Sequence, residues 1–135
     1  MLRRILAVIA GCVVAMAVIF LVESISHRFS PPPVGTDFKN PESLKHMMDN
    51  VPTNSFILLL GGYILGSFAG GLTATLLSGR NNFVPATVVG GILTAGGIMD
   101  LVQIPHPLWF SAISLLLYVP FALLGYLAVR TRTAN

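Results

Sequence analysis

Four stretches of this chain run for about the length of a membrane crossing with almost no charge in them. A helix rises 1.5 Å per residue, so about 20 mostly apolar residues cover the roughly 30 Å hydrocarbon core of a bilayer. Residues 5–22, 56–77 and 108–129 hold no charged side chain, and residues 83–104 hold one, Asp100. None shows the period-two alternation of a membrane barrel. Composition agrees. Of 135 residues, 54% are hydrophobic and 10% charged, whereas soluble domains carry about a quarter charged residues. Soluble globular, disordered and collagen-like classes are therefore disfavoured. A single cysteine excludes a disulfide framework or a Cys-based zinc cluster within one chain.

The expected fold is all-α. It is an integral membrane four-helix bundle, one domain over 1–135, with transmembrane helices over about 5–29, 55–78, 83–104 and 108–130. Arg3 and Arg4 ahead of an apolar run resemble a signal peptide. The run is longer than the usual 7–15 apolar residues of a cleaved signal, and no A-x-A-like site follows at Glu23-Ser24-Ile25-Ser26-His27. The first helix is therefore expected to be retained. Lys and Arg in short flanks set orientation. Arg3, Arg4, Arg80, Arg130 and Arg132 fall on one side, and Arg28, Lys39 and Lys45 on the other. Both termini are thus expected in the cytoplasm, in a bacterial inner or plasma membrane. The basic balance, pI about 9.5, then reflects this bias and contact with anionic lipid. No basic stripe with interleaved aromatics suggests nucleic acid as a partner.

The outer loop, 30–54, opens on Pro31-Pro32-Pro33, which stops the first helix and favours a stiff extended piece. Asn40-Pro41-Glu42 reads as a helix start. Leu44, Met47, Met48 and Val51 then recur at i, i+3, i+4 and i+7. That spacing predicts a short amphipathic surface helix over about 41–51. It would lie on the headgroups or on the tops of the spans, and can also act as a docking element or lid.

Gly62, Gly66 and Gly70 repeat every four residues, a glycine-zipper pattern that lets helix backbones approach closely in lipid. The third span carries Gly90 and Gly97 on the same side as Asp100. A short turn at 78–82 makes these two spans antiparallel neighbours. They are expected to pack glycine face to glycine face, a homo-oligomer contact being the other use of such faces. In the last span Pro120 removes a backbone hydrogen bond, with Ser111, Ser114 and Tyr118 available to answer it. Trp109 and Tyr126 suit the two interfacial belts.

One polar constellation stands out. Glu23 and His27 are four apart at the outer end of the first helix. Asp100 and Gln103 are three apart near the outer end of the third, and His106 follows in the outer turn. An ionisable group inside a span costs about 2.5–3.5 kcal/mol and is a functional hypothesis by default. Three readings are open: Asp100 as a structural hydrogen-bond acceptor, a metal or proton site built from two carboxylates and two imidazoles, or an ion pair with Arg28. The residues follow no specific ligand motif, and a divalent metal is the one cofactor they suggest. Cys12 is a small hydrophobe by its surroundings. No nucleophile triad, nucleotide loop or haem motif occurs.

In length, span count and glycine-rich helices, though in no functional residue, the chain resembles small four-span bacterial membrane proteins without assigned activity. The leading expectation is non-enzymatic: an accessory, scaffold or self-associating subunit of a membrane assembly. The alternative is a small transporter-like or metal/proton-handling protein using the outer Glu/His/Asp cluster. An enzyme acting on lipid-soluble substrates is a third reading, with Glu23, His27 and Asp100 as its only chemistry.

Overall fold

The computed structural model describes residues 2–29, 31, 34–79 and 81–133, the last three by backbone alone. Pro32, Pro33 and Arg80, which figured in the expectations above, lie outside the described residues. Five helices follow in order: α1 (Leu2–Phe29), α2 (Pro41–Asp49), α3 (Thr53–Ser78), α4 (Val84–Gln103) and α5 (Leu108–Thr133). Among the described residues there is no strand. All but α2 are long and apolar enough to cross a membrane, so the chain is a multi-pass membrane protein with an all-helical bundle and one extra short helix.

Lipid as solvent explains the outer surface. Phe20, Leu65, Met99 and Leu116 are all exposed, an arrangement water would penalise and hydrocarbon does not. Threonine hydroxyls inside the spans turn back on their own helix. Thr75 donates to the Gly71 carbonyl and Thr94 to that of Gly90, one turn earlier in each case.

Backbone proximity holds the bundle together, because lipid supplies no hydrophobic force between spans. α3 is central and packs on α1, α5 and α4. α1 and α4 touch only thinly, and among the described residues α1 and α5 do not meet. The glycine face of α3 does not meet the glycines of α4, as the short turn suggested. It meets α1, whose buried stripe Ala7, Gly11 and Ala15 is equally small. A side chain added at Gly70 would come within 2.8 Å of the Gly11 carbonyl oxygen, and one at Gly66 within 2.7 Å of Ile19. Val89 of α4, fully buried, wedges against Gly11 and Gly70 where α1, α3 and α4 converge. The α4 glycines serve α5 instead: Gly90 lies against Val119 and Gly97 against the Tyr118 ring.

At the end of the bundle where the chain starts, Arg3 Nε donates to the Leu77 carbonyl at 2.7 Å, satisfying one of the last carbonyls of α3. Tyr126 was expected at a lipid interface. It is buried instead, edge-on to Phe83 at 6.4 Å. In α5, Ser111 donates to Pro107 and Ser114 to the Ser111 carbonyl, so neither hydroxyl answers the Leu116 carbonyl that Pro120 frees.

At the opposite end α2 caps the bundle. Asn40 accepts from the Glu42 amide at 3.0 Å and Pro41 occupies the first turn. Leu44 and Met47 are buried, while Met48 and Val51 pack half-buried against the core. Glu42, Lys45 and Asp49 face outward. The helix ends at Asp49, two residues earlier than its periodicity implied, where the Asn50 amide folds back to Met47 and Met48 carbonyls.

Candidate functional site

The tops of α1, α3 and α4, the 104–107 turn and the inner face of α2 enclose a chamber of about 290 Å³. Glu23 and His27 reach it from α1, Asp100 from α4 and His106 from the turn. Four of the five residues expected to gather from sequence thus border one space. Gln103 does not; it is exposed and outside the chamber wall. Spacing of three turns a helix by about 300°, and at the last turn of α4 that offset is enough to carry Gln103 past the rim.

His106 is the anchored member. Its Nδ1 lies 2.8 Å from the Ile104 carbonyl, which can only accept, so Nδ1–H donates. The ring stacks on Phe110 with centroids 5.2 Å apart and planes 14° from parallel. This leaves Nε2 facing the Asp100 carboxylate at 3.8 Å, within ion-pair range but too long for a direct hydrogen bond. Arg28 is exposed and, among the described residues, pairs with neither Glu23 nor Asp100. His106 thus stands beside Asp100 where the ion-pair reading, one of the three open from sequence, had Arg28. No hydroxyl or side-chain amide donates to the Asp100 carboxylate among the described residues, and its side chain is 48% exposed. No three of the described His, Cys, Asp and Glu side chains stand close enough to hold a metal ion. The metal form of the ion-handling reading therefore has no geometric support.

The rings of Phe56, Tyr63 and Phe110 escaped the sequence reading. Phe110 stands 5.1 Å from Phe56 and 5.9 Å from Tyr63, and Tyr63 stands 5.6 Å from Tyr118. This train runs from the chamber down into the membrane-spanning part of the bundle. Tyr63 and Tyr118 are 7% and 5% exposed, and neither hydroxyl has a hydrogen-bond partner among the described residues. A tyrosine following Gly61-Gly62 in an apolar run was the available signal, since buried phenols usually find a partner.

A second cavity continues from the first. It occupies about 400 Å³ in the thin seam between α1 and α4. Cys12, Met16 and Ile19 form one wall, and Ile92, Gly96 and Gly97 the other. Glu23, Tyr63 and Asp100 border both spaces. Met16 and Ile92 are 57% and 48% exposed, so the seam opens sideways toward lipid.

No protein-family model, curated protein or solved structure matches this chain.

Proposed function

We propose that the chain is a multi-pass protein of a cell membrane, inner or plasma, with both ends in the cytoplasm. In this reading it binds a small amphiphile drawn sideways from the bilayer, in the manner of a transporter-like or carrier protein. The wall shared by the two cavities carries the proposal. Glu23, Tyr63 and Asp100 stand where a groove open to lipid meets a chamber roofed by α2 that also carries His27 and His106. Both spaces fall near the lower end of the roughly 300–1,000 Å³ typical of small-molecule sites. Binding is preferred to conversion because the sequence carries no nucleophile motif.

The accessory or self-associating reading retains the exposed apolar flanks as support. It loses the glycine faces, because Gly62, Gly66, Gly70, Gly90 and Gly97 are all taken up inside the bundle.

Gly96 supplies the test. A side chain added there meets nothing within 4 Å, yet Gly96 borders the groove; Gly91 is equally open and does not. Native mass spectrometry of protein released from mild detergent is expected to show a retained lipid in the wild type and in Gly91→Leu. Gly96→Leu should lose most of it. Equal retention in both variants, or none in the wild type, would refute the proposal.

A further inference from the structure

We infer that the amphiphile is a bilayer lipid whose headgroup carries an organic ammonium, with one acyl chain lying in the α1–α4 groove. The inference rests on the binding function proposed above and adds the chemistry of the ligand.

Length fits a lipid tail. From Cys12 to Glu23 the groove follows eleven residues of α1, about 16 Å at 1.5 Å per residue. One leaflet is half of the roughly 30 Å hydrocarbon core, so the groove has the depth of a single acyl chain. It ends where the carboxylates begin, as a tail must end at its headgroup.

Charge fits a cation. Among the described residues, Glu23 and Asp100 are the only carboxylates on the chamber wall, and neither Lys nor Arg lines it. The two imidazoles there, His27 and His106, are the only basic groups among the described residues, and His106 already faces Asp100. Phe56 and Tyr63 share the wall with the acids. Carboxylates beside aromatic rings form the environment that recognises amines and quaternary ammonium groups. The Tyr63 and Tyr118 side chains are buried and border the groove, and among the described residues their hydroxyls have no partner. Both are positioned to donate to ester oxygens just below a headgroup, which would satisfy groups otherwise left unpaired.

The test compares phosphatidylethanolamine, phosphatidylcholine and phosphatidylglycerol with identical acyl chains, each doped into nanodiscs before native mass spectrometry. All three carry a phosphate, but only the first two carry an ammonium. The five arginines at the far end attract anionic lipid by themselves, so the quantity read is the part of each adduct that Gly96→Leu removes. For that part, retention of the two ammonium lipids is expected to exceed that of phosphatidylglycerol by about tenfold, an order expected of one cation–π or partly desolvated charge contact. Glu23→Gln combined with Asp100→Asn should bring the three close to parity while leaving a Gly96-dependent adduct, and Gly91→Leu should change nothing. Equal or preferred retention of phosphatidylglycerol by the wild type would overturn the ammonium assignment and leave lipid binding standing. Absence of any Gly96-dependent adduct would overturn both.

Discussion

Single positions in these helices are tolerant or intolerant according to what a larger or smaller side chain would meet. At Gly70 a new Cβ lies 2.8 Å from the Gly11 carbonyl and 2.9 Å from the Ala15 methyl, whereas at Gly61 it meets nothing. Gly70→Leu is expected to lower stability by about 1–3 kcal/mol, the usual cost of overpacking, and Gly61→Leu to stay within about 0.5 kcal/mol of wild type. Thermal unfolding in a mild detergent reads the difference, and equal losses would mean that the α1–α3 contact is looser than described. Ser67 offers the opposite case. It is fully buried and its hydroxyl has no partner among the described residues, so Ser67→Ala removes an unsatisfied group and should raise stability by about 1 kcal/mol. A fall on the same unfolding curve would reveal a partner supplied by water or lipid. At this scale the sequence was legible where a residue type contradicted its surroundings. Glu23 and Asp100 are conspicuous because charge is costly in an apolar run, and both border the chamber. Tyr63 sits between Gly62 and Ile64. Its importance comes from the unpartnered hydroxyl, which only packing exposes.

Helices were legible as units, but their partners were not. Length and apolarity mark each span, because hydrocarbon forbids unpaired backbone and leaves only helix or closed barrel. Periodicity names the face a helix will bury and says nothing of which neighbour it meets. The short turn between α3 and α4 favoured the nearest glycines in sequence. α3 chose α1 instead, where the small stripe Ala7, Gly11 and Ala15 comes against it at Gly70, and Ile19 and Val22 fill the space over Gly66 and Gly62. That stripe is spaced by fours like the one opposite, and comparing the two patterns is how it can be found. α2 shows the same principle in water-facing form. Its caps are local and readable: Asn40 holds the Glu42 amide and Ser43 Oγ accepts from the Asp37 amide at 2.8 Å. Asn40→Ala is expected to cost about 1 kcal/mol of helix stability. Hydrogen exchange across 41–49 should then quicken while the unfolding temperature of the spans stays unchanged. A drop in that temperature would show that α2 is part of the bundle's cooperative core and not a roof resting on it.

Over the whole molecule, charge is divided more sharply than position alone requires. By sequence, Arg3, Arg4, Arg80, Arg130 and Arg132 lie at the end where the chain starts and stops, and no acid joins them. The end capped by α2 holds Arg28, Lys39 and Lys45 together with all five acids, Glu23, Asp37, Glu42, Asp49 and Asp100. Orientation follows the Lys and Arg near the span ends, with acids counting little, so the operative bias is five against three. In the proposed orientation the basic end also gains from the anionic cytoplasmic leaflet, about 1 kcal/mol for each Lys or Arg near its surface. A reporter fused after Asn135 should therefore report cytoplasm, and an Asp49→Cys variant should react with a membrane-impermeant maleimide added to intact cells. Arg4 and Arg132 are the positions to alter, because Arg3 also holds the Leu77 carbonyl and its loss would confuse orientation with stability. Arg4→Asn with Arg132→Asn leaves three basic residues at each end. The expected result is a mixed population, with partial maleimide labelling and partial loss of the cytoplasmic reporter signal. Full retention of one orientation would mean that something other than these arginines directs insertion. A wild-type chain whose Asp49→Cys label appears only after the cells are opened would reverse the assignment and place the chamber on the cytoplasmic face.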